Sequence, residues 1–91
     1  MKYFVHYKFD PAKLDIVLEL FQKAQNRPDP ENYPKSLAPT YYFHNKMEGF
    51  TVYEAETEEQ IINYHVYWFP HMESTWKSIS ESVDFIKKYK K

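Results

Sequence analysis

The spacing of apolar and aromatic residues along this chain changes from every second residue to every third or fourth and back again, and the order of these changes constrains the fold most. Residues 2–9 (KYFVHYKF) alternate in the way that is typical of a strand. One face would carry Tyr3, Val5, Tyr7 and Phe9, and the other Phe4, His6 and Lys8. The first face is the more continuously apolar, so we expect helices to cover it.

A helix is predicted directly after this strand. Asp10 can accept hydrogen bonds from the first amides of a helix, and Pro11 suits the first helical position. An apolar stripe follows at helical spacing, formed by Leu14, Val17, Leu18, Phe21 and Ala24. The helix should end near Arg27, because Pro28 disfavours helical geometry in the residue before it.

The segment from Pro28 to Pro39 contains four of the six prolines. Connections of this length are uncommon in small domains and are often functional, although a stiff spacer is the simpler explanation and the one we favour. We expect Tyr33 and Leu37 to anchor the segment to the rest of the chain.

A β-hairpin is predicted next, with strands over residues 40–45 and 50–56 around the loop 46–49. Gly49 is the only glycine in the chain, and it lies where a hairpin loop needs a residue with positive φ. This loop would place Phe43 opposite Val52 and Tyr42 opposite Tyr53. A shift of one residue would invert the two faces.

Thr57 and Gln60 are spaced as in a capping box, which predicts the start of a second helix. Its buried stripe would contain Ile61, Tyr64, His65, Trp68 and Met72, with Pro70 closing the helix. A short strand is predicted over residues 75–79, and Ser80 or Ser82 would cap a last helix. In that helix Val83, Phe85, Ile86 and Tyr89 would pack, and the lysines at its end are Lys87, Lys88, Lys90 and Lys91.

The predicted order is strand, helix, strand, strand, helix, strand, helix. This order describes an α+β fold of the ferredoxin-like βαββαβ type, with a four-stranded antiparallel sheet and an additional C-terminal helix. Both central helices would cover one face of the sheet and leave an aromatic face exposed. Because large exposed apolar patches usually mark interfaces, we expect a homodimer joined sheet face to sheet face.

The chain resembles the dimeric α/β barrel superfamily, in which two ferredoxin-like subunits close their sheets into a barrel. Within it, the opening Met1-Lys2-Tyr3, the pair Phe43-His44, the stretch from Gly49 to Ala55 and Trp68 resemble an uncharacterised family known only as a domain of unknown function. This chain departs from that family's pattern in having a single glycine in the hairpin and Ser78-Ile79-Ser80 in place of a strand proline. Relatives in the superfamily include cofactor-free monooxygenases, haem-degrading enzymes, stress-response proteins and ligand-sensing regulators, so the resemblance implies a pocket without selecting a chemistry.

The hairpin residues also divide into two alternating sets. We expect the more apolar set (Tyr41, Phe43, Phe50 and Val52) to join the core, and the mixed set to line the barrel interior beside His6. The predicted ligand-binding residues are therefore His6, Tyr42, His44, Thr51 and Tyr53, and His44 or His6 is the candidate catalytic base. The alternative is that these polar groups satisfy one another across the dimer interface.

The composition excludes several classes of protein. Twelve Lys and Arg against 13 Asp and Glu give a net charge of -1, so there is no basic field for non-specific nucleic-acid binding. No apolar run approaches the about 20 residues that span a bilayer, and the chain has no cysteine for a disulfide. We expect a single domain over residues 1–91, a cytoplasmic location, and no nucleic-acid or membrane partner.

No metal or other cofactor is expected. His65 and His71 are six residues apart and would not share a helix face, and no Cys or His-x-x-x-His spacing supports a metal site. A single histidine near aromatic residues is also more often a hydrogen-bonded structural residue than a haem ligand.

Three functions remain as hypotheses. The first is binding of a small, partly apolar or aromatic molecule in a pocket of the dimeric barrel. The second is a cofactor-independent enzyme of monooxygenase or isomerase type, with a histidine base and a tyrosine hydroxyl as its orienting partner. The third is a non-catalytic stress or interaction protein with a filled barrel, which a cavity near His44 larger than about 300 Å³ would argue against.

Overall fold

The computed structural model describes residues 1–90, which form an α+β fold with an antiparallel sheet of five strands. The strands are β1 (Lys2–Lys8), β2 (Lys35–Ser36), β3 (Tyr41–Tyr42), β4 (Glu48–Glu54) and β5 (Glu73–Ile79). The helices are α1 (Leu14–Gln25), α2 (Glu58–Trp68) and α3 (Ser82–Tyr89), and two short 3-10 turns lie at Pro11–Lys13 and Pro30–Asn32. The last of the terminal lysines, Lys91, lies outside the described residues.

The strands lie in the order β2-β4-β1-β5, and β3 also pairs with β4, so β2 and β3 form one interrupted edge. Ser36 pairs with Tyr53, and Tyr41 pairs with Phe50. Between these two pairs the edge advances by five residues and β4 by only three, so the edge contains a bulge of two extra residues. Thr51 holds the resulting bulge, since its hydroxyl lies 3.1 Å from the Ala38 carbonyl oxygen. The proline-rich segment predicted as a loop therefore contains a short edge strand.

The predicted core face of β1 is confirmed. Val5, Tyr7 and Phe9 are buried and lie under the two central helices, which contribute the buried residues Val17 of α1 and Tyr64 and Trp68 of α2. The opposite face of the sheet, with Phe4 and His6, carries no helix residue of this core. We call it the open face, and the other the covered face.

The capping box of α2 is confirmed. The Thr57 hydroxyl accepts from the Gln60 amide at 3.3 Å, and the Gln60 side chain accepts from the Thr57 amide at 3.4 Å. Asp10 accepts from the Ala12 amide at 2.8 Å, but it caps the 3-10 turn, and α1 begins only at Leu14. Leu18 and His65, which were predicted to lie in the buried stripes, are exposed.

Gly49 does not have the positive φ that the hairpin prediction requires. It lies inside β4 and pairs with Tyr42, while residues 43–47 form the connection between the strands. A Cβ built on Gly49 would meet Cζ of Tyr7 at 2.6 Å and would also collide with the carbonyl oxygen of Tyr41. The glycine is therefore explained by the close approach of Tyr7, and the predicted loop and its pairing are wrong.

The pairing of the hairpin faces with those of β1 is also the reverse of the prediction. Tyr53 pairs with Tyr3 and Thr51 pairs with Val5, so both lie on the covered face. Phe50 and Val52 lie on the open face instead of in the core. The alternation within β4 is as predicted, but its register against β1 is not, because no turn joins these two strands and both sets of side chains contain aromatic residues.

α3 does not pack as predicted. Its N-cap is Glu81, and neither Ser80 nor Ser82 takes that position. Its four apolar and aromatic residues are between 50% and 83% exposed (Val83, Phe85, Ile86 and Tyr89). The radius of gyration of 14.7 Å exceeds the about 12 Å expected of a compact chain of this length, so the molecule is elongated. None of the helices among residues 1–90 combines the length and the apolar character needed to cross a membrane.

Candidate functional site

A cleft of about 1050 Å³ lies on the covered side of the sheet, between α1, α2, β4 and the proline-rich segment. Its aromatic walls come from Phe21 of α1, Tyr53 of β4, and Tyr64 and Trp68 of α2. The segment from Pro30 to Thr40 contributes most of the remaining wall. We call it the proline cleft.

The aromatic residues behind the proline cleft support one another. The Tyr53 ring stacks on Trp76 with centroids 5.7 Å apart and planes 12° apart. Tyr64 meets the edge or face of both rings, at 5.4 Å from Tyr53 and 5.0 Å from Trp76. Such offset and edge-to-face pairs fix ring orientation, so the two phenols are held in place by their neighbours.

Burial raises the pKa of Tyr64 well above its ordinary value, and burial also raises the pKa of Tyr53. For Tyr53 the positive charge of Arg27 acts in the opposite direction and lowers the pKa. Both phenols are therefore neutral near pH 7 and able to donate a hydrogen bond.

Arg27 lines the proline cleft immediately after the end of α1. Its Nε donates to the Ala24 carbonyl at 3.2 Å, and its guanidinium lies 3.6 Å from the centre of the Tyr33 ring. Cation–π contacts of this kind orient the guanidinium plane. Tyr33 thus anchors the proline-rich segment, as predicted, and holds the one arginine of the chain at the cleft.

The proline-rich wall is tied to α2 by side-chain amides. Gln60 Nε2 donates to the Glu31 carbonyl at 2.9 Å, and Asn63 Nδ2 donates to the Asn32 carbonyl at 2.9 Å. The Gln60 oxygen is the acceptor in the capping box. One residue therefore fixes both the start of α2 and the position of the cleft wall.

The five predicted ligand-binding residues do not form one pocket. Tyr53 lines the proline cleft, and Thr51 is buried with its hydroxyl bonded to the edge-strand bulge. Tyr42 packs edge-on against Tyr7 on the covered face, at 5.6 Å. His6 lies on the open face, and His44 is exposed in the connection between β3 and β4.

His6 has a carboxylate partner that the sequence reasoning missed. Its Nε2 lies 3.0 Å from Oε1 of Glu48, and the two side chains are 34% and 28% exposed. Around them the open face is aromatic: Phe50 stacks on Phe4 at 5.6 Å and on Tyr41 at 5.3 Å. A histidine and a carboxylate at diagonal positions of two paired strands are detectable from sequence only once the register is known.

His44 and Tyr42 line a second cleft, of about 1210 Å³, at the end of the sheet where β1 and β4 meet the residues after α2. This cleft also contains His71, whose Nδ1 is buried without a hydrogen-bond partner. Its charged residues have both signs, for example Lys13 and Glu73, and Lys13 already donates to the Pro70 carbonyl at 3.0 Å. The second cleft is therefore larger than the about 300 Å³ expected of a ligand pocket near His44.

No group of three or more His, Asp or Glu side chains among residues 1–90 is placed to hold a metal ion. No protein-family model matches the chain, and no curated protein matches it in sequence.

Proposed function

We propose that this protein binds a small, planar, partly aromatic molecule in the proline cleft. The observation that carries the proposal is the convergence of two neutral phenols, the buried Tyr64 and the partly buried Tyr53, with Arg27 in an aromatic cleft. Small-molecule sites usually have volumes of about 300–1000 Å³ and a few placed polar groups in an apolar lining. The cleft, at about 1050 Å³, is at the upper end of that range.

The lining favours a particular ligand chemistry. The rings of Phe21 and Trp68 favour a flat apolar body, and the phenols of Tyr53 and Tyr64 favour a hydrogen-bond acceptor. Arg27 favours a carboxylate, because its planar donors match the two oxygens. We therefore expect aromatic acids to bind more tightly than neutral compounds of the same shape.

The test uses naphthalene-2-carboxylate and naphthalene-2-methanol as matched probes in an NMR titration of the ¹⁵N-labelled protein. We expect the carboxylate to shift the indole signal of Trp68 and to bind at least tenfold more tightly than the alcohol. Arg27→Gln should remove this preference, whereas Tyr41→Phe, which changes a phenol on the open face, should leave it intact. Shifts confined to the open face, or no shifts at millimolar probe, would contradict the proposal.

We also propose that two copies associate through their open faces in a ferredoxin-like, dimeric barrel arrangement. If β2 and β3 are counted as one interrupted strand, the order edge-β4-β1-β5 is that of a ferredoxin-like sheet. The distribution of rings supports the association. The covered side of the sheet carries Tyr3, Tyr7, Tyr42 and Tyr53, whereas Phe4 and Phe50 lie on the open side.

A sheet face that met water would favour the amphipathic tyrosines and leave phenylalanine for the interior. Phe4 and Phe50 lie instead on the open face, beside Tyr41, which argues that this face is covered in the functional form. The occupant is a second copy, because charges of both signs lie at the ends of this face, with Lys2 beside Glu54 and Lys8 beside Glu48. A two-fold axis can place each lysine near a glutamate of the other copy.

Sedimentation velocity tests the open-face association. We expect wild type to associate at micromolar concentration, and Phe50→Glu to weaken the association at least tenfold with an unchanged circular dichroism spectrum. Ile62→Glu, which changes an exposed apolar residue on α2, serves as the matched control for this face. A wild type that is monomeric at 100 μM would contradict the proposal.

A second candidate function is proton abstraction by His6, the first step of a cofactor-independent oxygenase or isomerase. The observation that favours it is the 3.0 Å contact between His6 and Glu48, since a carboxylate that holds one imidazole nitrogen orients the ring toward a substrate proton. The test measures exchange of the acidic C10 protons of anthrone into D₂O. His6→Gln should slow the exchange by about 10²-fold or more, and equal rates in wild type and variant would contradict this function.

A further inference from the structure

The two edges of the sheet differ in a way that points to a partner. One edge is broken into β2 and β3, each of two residues, with Pro39 between them. The other edge is β5, a regular strand of seven residues that pairs only with β1 among the described residues. Proteins usually protect long free edges with prolines, charged side chains, bulges or a covering element, because unpaired backbone groups bind other strands. β5 contains no proline.

Two apolar surfaces near β5 are also without a partner in a single copy. On α3, Val83 and Ile86 are 60% and 50% exposed. Val66 and Phe69, at the end of α2, are 70% and 77% exposed. They line a groove of about 590 Å³ together with Met72 and the first residues of β5.

The chain connections relate these two surfaces to opposite ends of β5. The groove includes Glu73, Ser74 and Thr75, at the start of the strand. α3 begins at Ser82, and only two residues separate it from the end of the strand at Ile79. An antiparallel pair of β5 strands places the end of each strand beside the start of the other. A two-fold axis through such a pair therefore brings α3 of one copy next to the groove of the other.

The charges of β5 favour one register. Glu73 and Lys77 lie on the same face of the strand, with Thr75 midway between them. In the antiparallel register centred on Thr75, Glu73 of each copy faces Lys77 of the other, and opposite charges in directly paired positions are favourable. The strand is thus complementary to itself.

We propose that β5 pairs antiparallel with β5 of a second copy and that α3 of each copy lies in the groove at Val66 and Phe69 of the other. This contact extends the sheet across the two-fold axis and buries the exposed side of α3. It goes beyond the open-face association, since it joins the edges of the two sheets and not their faces, and the two contacts are able to coexist in one larger assembly.

The experiment isolates this contact by measuring sedimentation in the Phe50→Glu background, with Phe4→Lys as a second open-face variant if the first does not fold. We expect a dimer in this background whether or not the open faces also associate. Ile86→Asp, Glu73→Lys and Lys77→Glu should each weaken this dimer at least tenfold. Lys88→Asp, on the polar side of α3, should change the dissociation constant less than threefold.

The charge swap gives the decisive outcome. The double variant Glu73→Lys/Lys77→Glu should dimerise at least threefold more tightly than either single variant, because each new lysine then faces a new glutamate. Full recovery is not expected, since Glu73 also lies 3.7 Å from Lys8 of its own chain. A monomer in both open-face backgrounds overturns the proposal, even if wild type forms an open-face dimer. A β5 dimer that survives Ile86→Asp, or a double variant that stays as weak as the single ones, also overturns it.

Discussion

Replacement of Gly49 by alanine tests the packing of Tyr7 across β4. Gly49 has an ordinary strand conformation, and in such a position alanine by itself would stabilise the protein by about 0.4–1 kcal/mol through the unfolded state. The built Cβ, however, meets Cζ of Tyr7 at 2.6 Å, which is roughly 1 Å inside the ordinary contact distance of about 3.5–4.0 Å. It also collides with the Tyr41 carbonyl oxygen, which belongs to the paired backbone of β3.

Neither obstacle moves freely. Tyr7 is 4% exposed, and its hydroxyl donates to the same Tyr41 carbonyl at 3.3 Å. Overpacking at a buried site typically costs about 1–3 kcal/mol. We therefore expect Gly49→Ala to lower the free energy of unfolding by about 2 kcal/mol, and the midpoint of thermal unfolding by about 8–16 °C. Urea unfolding followed by the fluorescence of Trp68 and Trp76 measures the change.

Two further variants separate packing from backbone conformation. If Tyr7 is the obstacle, Gly49→Ala should cost less by about 1 kcal/mol when Tyr7→Leu is already present. If the glycine were needed for positive φ, Gly49→Asn would be better tolerated than Gly49→Ala; the packing argument predicts the opposite. An alanine variant within about 0.5 kcal/mol of wild type, or an asparagine variant more stable than the alanine one, would refute the reasoning.

Three other changes have expected outcomes. Thr51→Val should destabilise the protein by about 1–3 kcal/mol, because it leaves a carbonyl of the edge-strand bulge unpaired. Thr51→Ser keeps the hydroxyl and should avoid most of this loss. Equal urea midpoints for the two variants would contradict the role of the hydroxyl in the bulge. Phe43→Ala should lower the free energy of unfolding of the monomer by less than about 1.5 kcal/mol in urea, since Phe43 is 41% exposed. A loss of about 3–5 kcal/mol, which is typical of a core phenylalanine, would instead place Phe43 in the core. Burial raises the pKa of Tyr7, Tyr53 and Tyr64 above the value of about 10 in the unfolded chain. The stability that these phenols contribute should therefore be complete below about pH 10 and fall as the pH rises further. A urea midpoint that is constant from pH 8 to 11.5 would exclude this contribution.

The sequence predicted correctly those elements that depend on residues close to one another along the chain. The capping box at Thr57 and Gln60 involves neighbours along the chain, and the alternation of β1 identified Val5 and Tyr7 as core residues. Gly49 shows where such signals become ambiguous, because a single glycine indicates either positive φ or a close approach. Only the position of Tyr7 in the fold distinguishes these two causes.

The register between β1 and β4 could not be predicted, because a helix and the proline-rich segment separate these strands. Both sets of side chains on β4 contain an aromatic residue, Phe50 in one and Tyr53 in the other, so hydrophobicity did not select a face. The proline cleft depends on this register, because it places Tyr53 under α2. Arg27 was missed for a related reason: the sequence marks it only as the end of a helix, and its contact with Tyr33 requires the folded segment.

The same register determines which chemistry a single bound molecule can meet. The predicted pairing would have put His6 in one pocket with Tyr53, as a base beside an orienting phenol. In the structure the sheet itself separates them, so one small molecule cannot contact both. Tyr41 provides a phenol on the same face as His6. Its ring stacks on Phe50, and Phe50 is the residue that pairs with His6. Binding in the proline cleft and proton transfer at His6 are therefore independent properties: Arg27→Gln should leave anthrone exchange unchanged, and His6→Gln should leave the naphthalene-2-carboxylate affinity unchanged.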